Sequence, residues 1–173
     1  MRIAHIITDL DTGGAEIMLY KLLSSLHDEA LNSSVISLMG RGKITERIEA
    51  LGVKVETLDL GQGERPSWQT IKKLRQFMRT FNPDIVQGWM YHGNIAATVA
   101  VFLFDPMRRK VKLFWNVRQT LYDINTEKIQ TRWLIMLGRW LSFYTHSVIY
   151  NSNLSAEHHC NIGYSVKKNK DNS

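Results

Sequence analysis

The chain contains one cysteine, Cys160, among 173 residues. That excludes a disulfide framework and a thiolate zinc cluster, and it suits a reducing compartment. A long apolar run is also missing. The nearest approach, Trp133–Tyr144, is 12 residues long and is interrupted by Arg139, whereas a membrane-spanning helix needs ~20 apolar residues. The opening stretch, Met1–Asp9, has a single cation and a short apolar run before acidic residues. It does not read as a secretory leader, so a cytoplasmic location is expected. No Gly-x-Gly-x-x-Gly, Gly-x-Ser-x-Gly, Walker loop or His-Glu-x-x-His occurs, and no internal repeat is visible. The aromatic strands of the common RNA-binding modules are missing too, so nucleic acid is not an expected partner.

The composition is that of an ordinary globular chain, with 44% apolar and 22% charged residues. A single domain of this length buries about 70% of the surface its unfolded chain exposes, enough for a proper core. Charge is unevenly placed. Residues 1–100 hold 11 Lys/Arg and 11 Asp/Glu, whereas residues 101–173 hold 11 and 5, so the whole net charge of +6 lies in the second part. An anionic partner (phosphate, lipid headgroup or nucleic acid) or simply a solvated basic surface accounts for this.

Hydrophobic periodicity divides the chain into alternating elements. Strands are expected at Arg2–Thr8, Ser33–Met39, Val53–Leu58, Asp84–Gln87, Lys112–Val117 and His146–Tyr150. Helices are expected at Ala15–Leu26, Ile44–Leu51, Ser67–Phe81, His92–Leu103, Glu127–Tyr144 and Asn151–Asn161. Ile17, Met18, Leu22 and Leu26 mark the expected apolar stripe of the first helix. Ser67 is a good N-cap, Pro83 a stop, and Gly52 and Gly163 stand where helices end. Strands alternating with helices imply an α/β fold: a doubly wound, mostly parallel sheet of about six strands with helices on both faces, in the order 3-2-1-4-5-6. The domain is expected over residues 1–166, with a frayed polar tail at 167–173.

In such sheets ligands bind beyond the carboxyl ends of the strands. Gly13 and Gly14 follow the first strand. Glycine there lets the backbone approach an anion, and the next helix offers free N–H groups, so the pair either cradles a phosphate or serves a tight turn. Trp89, Tyr91, His92 and Asn94 follow the fourth strand. Aromatic faces and polar edges suit a sugar or an amphiphile, His92 suits a general base, and half-buried packing is the plainer alternative. Arg118 and Gln119 follow the fifth strand and offer a fixed cation and an amide to an anionic leaving group or lipid phosphate, or a simple surface. His158, His159 and Cys160 are adjacent on a helix, point about 100° apart and cannot converge on one ion, so no metal is expected.

The stretch Ile3–Leu23, with Gly13-Gly14-Ala15-Glu16, resembles the N-terminal domain of the retaining glycosyltransferases of family 4, which have the GT-B fold. Asn82–Gln87 with Trp89–Ala97, Phe114–Arg118, and Val148–Asn153 running to Ile162–Tyr164 agree with it. The resemblance implies that Gly13 and Gly14 face the donor diphosphate. It implies that His92 and Arg118 serve catalysis, and that Trp89, Tyr91, Asn94 and Gln119 face the acceptor. A histidine that many members carry after the fifth strand is replaced here by Arg118-Gln119. A nucleotide sugar and a glycan or lipid-linked acceptor are the implied partners, with an anionic membrane surface facing the basic helices and no cofactor beyond the donor. Family members are about twice this length, so a donor-binding domain is expected elsewhere. The implied role is the acceptor-side half of an enzyme of bacterial exopolysaccharide, capsule or lipopolysaccharide synthesis, inactive alone. The alternatives are an interaction subunit pairing with a separate donor-binding chain, and an NAD(P)-dependent oxidoreductase.

Overall fold

The computed structural model describes residues 1–107, 109–122, 124 and 128–165. The expected tail and the expected helix start at Glu127 lie outside the described residues. Six strands, β1 (Ile3–Ile7), β2 (Ser33–Ser37), β3 (Lys54–Thr57), β4 (Ile85–Trp89), β5 (Lys112–Val117) and β6 (Ser147–Tyr150), form one sheet in the order β3-β2-β1-β4-β5-β6. Every neighbouring pair is parallel. The helices are α1 (Gly14–Ser25), α2 (Thr45–Glu49), α3 (Trp68–Phe81), α4 (Met90–Phe104), α5 (Ile129–Leu141) and α6 (Asn153–Asn161). This is the architecture and strand order that the alternating pattern implies.

Both faces of the sheet are covered. Side chains alternate across each strand, so Ile6 and Ile36 join one core with Leu74, Met78, Ala97, Ala100 and Ile135 from α3, α4 and α5. Ile7 and Val35 join the other, with Leu19, Leu23 and Ile48 from α1 and α2. Local chemistry sets the helix ends. Ser67 Oγ accepts the Thr70 N–H at 3.2 Å, and Asn82 closes α3 in the left-handed region just before Pro83.

Three expectations change. The buried stripe of α1 is Ala15, Glu16, Leu19 and Leu23, while Ile17 and Met18 are exposed. The helix is apolar nearly all round, so spacing alone leaves its inner face undecided. The last turn of the fifth helix, Ser142–Tyr144, is 3-10 rather than α. Finally, no loop separates β4 from α4. Trp89 ends the strand and Met90, with φ of 60°, turns the chain straight into the helix. Two glycines make room for this. A β-carbon on Gly88 would meet Asn94 Cα at 2.5 Å, and one on Gly93 would meet the Ile6 carbonyl oxygen at 2.6 Å. The first turn of α4 therefore sits directly on β1 and β4.

Candidate active site at the carboxyl edge of the sheet

The segments that follow β1, β2 and β3 are stitched together by backbone hydrogen bonds. Leu38 donates to Ile7, Met39 to Thr8, Ile44 to Leu10 and Leu60 to Leu38, at 2.8–3.0 Å. They form a shelf along the edge where parallel sheets take ligands. Gly13 caps α1 from this shelf with extended backbone and no side-chain cap. The space beside it is taken by Glu16, whose carboxylate a Gly13 β-carbon would strike. Glu16 is only 9% exposed. Burial raises its pKa, its own backbone N–H opposes that shift, and Asp9 and Asp11 add to it. The start of α1, where an anion cradle was expected, thus holds one of this chain's own carboxylates. Glutamate at the third helical position was the signal in the sequence, because that position reaches back to the helix start.

The aromatic group after β4 does not line an open loop. Trp89 is 1% exposed and donates its indole N–H to His5 Nδ1 at 3.3 Å. Tyr91 is buried, with its hydroxyl 2.9 Å from His159 Nε2. Asn94 is buried and its Oδ1 accepts the Asn116 N–H at 3.3 Å. These three were expected to touch an acceptor. Instead they tie the β4–α4 junction to β1, β5 and α6, because the helix starts at Met90 and Tyr91 and Asn94 face inward. His159 Nδ1 lies 2.8 Å from the Ser155 carbonyl, which only a protonated nitrogen can approach. The ring is therefore the Nδ1–H tautomer, and the Tyr91 hydroxyl donates to Nε2. His159 is fully buried as part of this aromatic cluster. Among the described residues, no three His, Cys, Asp or Glu side chains are grouped so as to hold a metal ion.

His92 stands apart from these neighbours. It is exposed on the first turn of α4, and partial burial holds its pKa below the ordinary histidine value. The ring is therefore neutral at pH 7 and can accept a hydrogen bond from a hydroxyl. It borders a cleft of about 290 Å³ between α3 and α4, lined by Leu38, Leu60, Glu64, Pro66, Ile71, Leu74, Ile95 and Val99 among others. The walls are almost wholly apolar, with His92 and Glu64 as their ionisable groups. The sequence conceals this cleft because its residues come from four separate segments.

Arg118 and Gln119 lie where β5 ends, partly exposed. Their carbonyls accept from Asn151 Nδ2 at 3.3 Å and Ser155 Oγ at 2.8 Å, joining this turn to the start of α6. The edge after β2 carries Arg41, paired with both carboxylate oxygens of Glu49. A dinucleotide site needs an acidic residue at this point to hold the ribose.

The sequence model of Glycosyltransferase Family 4 matches residues 12–169. The chain belongs to glycosyltransferase family 4. No curated protein matches it by sequence. Among solved structures it is similar to Anabaena Alr3699/HepE, a structure in complex with UDP and glucose, at 17% identity and a TM-score of 0.72, over 95% of this chain and 42% of that one. It is similar to WaaB, a lipopolysaccharide outer core galactosyltransferase in its apo form, at 15% identity and a TM-score of 0.66, over 95% and 43%. A Listeria monocytogenes structure assigned as a UDP-N-acetylglucosamine 2-epimerase aligns with 15% identity and a TM-score of 0.59, over 95% and 43%. The family 4 chain therefore spans under half the length of these neighbours. At such identities the likeness establishes the Rossmann-like lobe of a GT-B fold, and the fold alone does not choose a reaction.

Proposed function

We propose that the protein is the acceptor-side domain of a nucleotide-sugar-dependent glycosyltransferase that keeps the anomeric configuration and builds a bacterial surface polysaccharide in the cytoplasm. One observation carries the reading: in a family 4 chain, the neutral, accessible His92 borders an apolar cleft at the carboxyl edge of the sheet. An acceptor joining a hydroxyl-bearing sugar to an apolar carrier suits such a cleft, with the carrier against Ile71, Ile95 and Val99 and the sugar at His92.

In this reading the bond from the sugar's anomeric carbon to the diphosphate breaks, a bond to the acceptor oxygen forms on the same face, and the acceptor's hydroxyl proton passes to the departing diphosphate oxygen. His92 accepts a hydrogen bond from the attacking hydroxyl and orients it. The amides at Gly13 and Gly14 stabilise the departing diphosphate once Glu16 moves aside, and the Arg118 guanidinium adds a fixed cation. A second lobe facing this strand edge would hold the nucleotide, in the same polypeptide or in a separate chain. The inner face of the cytoplasmic membrane, where lipid-linked acceptors reside, is the natural place of work.

The test is sugar transfer by the protein together with its donor-binding lobe, from a panel of nucleotide sugars to lipid-linked acceptors. Nucleoside diphosphate release gives the rate, and the anomeric coupling in the product's proton spectrum gives the stereochemistry. Transfer with retention supports the reading. An inverted product removes the stereochemical assignment, and no diphosphate release from any donor favours a non-catalytic interaction subunit.

A further inference from the structure

The basic part of the chain has one dense cluster. Residues 108–112 read Arg-Arg-Lys-Val-Lys and hold four of the 11 Lys/Arg in residues 101–173. Arg108 lies outside the described residues, while Arg109, Lys110 and Lys112 are exposed where the chain enters β5. They border a recess of about 260 Å³ that Val111, Leu113 and His146 complete. From here β5 runs roughly 20 Å, at about 3.3 Å per residue, before the chain reaches Arg118. The recess is therefore at the amino edge of the sheet, opposite the candidate active site. Local bonds fix its walls. The Asp105 carboxylate accepts the backbone N–H groups of Arg109, Lys110 and Val111 at 2.7–3.3 Å. His146 donates its backbone N–H to the Leu113 carbonyl at 2.6 Å and sets its ring against Phe114. Lys110 Nζ donates to Asn82 Oδ1, which leaves two of its three protons. The neighbouring Asp84 carboxylate accepts the Arg2 N–H at 2.7 Å. Neither Asp84 nor Asp105 lines the recess, and among the described residues no carboxylate forms an ion pair with Arg109, Lys110, Lys112 or His146.

We propose that this recess binds the phosphate chain of a soluble polyphosphate anion, at a site separate from the one that would transfer sugar. Cations of one sign gathered around a concave surface raise the local concentration of anions. Arginine can take two phosphate oxygens at once, and lysine adds a point charge. Three such cations and an imidazole suit linked phosphates better than a lone phosphate, which would leave part of the cluster unmatched. No Phe, Tyr or Trp side chain lines the recess, so it offers a nucleotide base nothing to stack on and reads the phosphate chain alone. A compact recess also differs from the long cationic track that a nucleic-acid backbone needs. Free inorganic polyphosphate and the triphosphate end of a nucleotide share this chemistry. The recess joins the end of α4 to the start of β5, whose other ends carry His92 and lead to Arg118. The binding itself holds or fails without any sugar transfer.

The experiment is a titration of the isotope-labelled protein with sodium tripolyphosphate, sodium orthophosphate and ATP without added metal, followed by backbone amide shifts. It is run at about 0.01 M and about 1 M salt, where the screening lengths are about 30 and 3 Å. Tripolyphosphate is expected to shift the amides of residues 109–113 and 146 at low salt. It should bind at least about tenfold more tightly than orthophosphate and lose at least about tenfold in affinity at high salt. R109Q/K112Q is expected to weaken binding at least about tenfold, and H146Q to weaken it less. K72Q/R75Q removes two exposed cations of α3, changes the net charge by the same amount and retains wild-type binding. The amide spectra show that each variant is folded. ATP shifting the same amides marks a nucleotide as a source of the chain, and ATP excluded while tripolyphosphate binds marks the free chain; either upholds the proposal. Three results overturn it. One is no shift at residues 109–113 and 146 at low salt. Another is equal loss in K72Q/R75Q and R109Q/K112Q, which would make the binding a matter of net charge. The third is shifts confined to residues 13–16 and 118–119, which would place the anion at the candidate active site instead.

Discussion

The Glu16 carboxylate lies against Gly13, at the N-terminus of the helix that both residues begin. A buried carboxylate thus sits where the amides of α1 would otherwise meet an external anion. Because burial raises the pKa of Glu16 above the unfolded value, with Asp9 and Asp11 contributing, its ionised form is the disfavoured one in the folded state. The linkage has a definite sign. A carboxyl with a raised folded pKa contributes stability that is complete below its unfolded value, near pH 4, and is lost as pH rises through the folded pKa. Glu16→Gln is therefore expected to melt no lower than wild type at pH 7, and the difference should shrink as pH falls toward 4. Circular-dichroism melts at the two pH values read this directly. A variant that melts well below wild type at pH 7 would mean that the helix-capping charge outweighs the cost of burying it.

His5 gives the opposite sign. It is almost fully buried, and burial lowers its pKa to about 4, with the Gln87 side chain opposing the shift. Its Nδ1 accepts the Trp89 indole N–H, so the ring must be neutral. A histidine with a depressed folded pKa contributes stability that is complete above about pH 6.5 and is lost as pH falls toward 4, up to about 3 kcal/mol. Burial also lowers the pKa of His159, in the same direction. Urea midpoints are expected to fall steadily between pH 6.5 and 4, and more gently in His5→Gln. An equal slope in wild type and variant would assign the acid sensitivity to other groups.

Tyr91 was legible in the sequence as a functional candidate and is in fact a fastener. Its hydroxyl donates to His159 Nε2, linking α4 to α6. Tyr91→Phe leaves that nitrogen buried without its partner, which costs about 1–3 kcal/mol. A loss of that size in denaturant titration is expected, with the acceptor KM unchanged in a transfer assay. A raised KM with intact stability would return Tyr91 to the acceptor site.

Much of the architecture was readable because two periodicities are unambiguous over long stretches. The strands are β-branched and short, the helix α3 is bounded by Ser67 and Pro83, and the order 3-2-1-4-5-6 follows from alternation and parallel pairing. The site was read less well, for a physical reason. Residues after a strand are exposed only if a loop follows, and Met90 in the left-handed region removes the loop. That single turn converts Trp89, Tyr91 and Asn94 from expected surface contacts into core.

His92 separates the functional reading from the structural one. It lies in the same turn as buried Tyr91, Gly93 and Asn94, yet it is exposed and borders the cleft between α3 and α4. Substituting an exposed side chain away from caps and buried networks usually changes stability by no more than about 0.5 kcal/mol. His92→Ala is therefore expected to melt near wild type and to pack α4 unchanged. If its imidazole orients the attacking hydroxyl, transfer should fall by about 10²-fold, the lower range for a positioned acid–base group. The loss should appear in kcat with little change in donor KM, because the contact matters most as the new bond forms. The pH profile adds a second readout: because burial lowers the pKa of the ring, the acidic limb of kcat/KM should lie below the ordinary histidine value. His92→Gln, which keeps a hydrogen-bond acceptor but cannot titrate, should restore part of the rate and abolish that limb. Full activity in His92→Ala would leave the cleft without a reacting group and move the chemistry toward Arg118 and the end of β5.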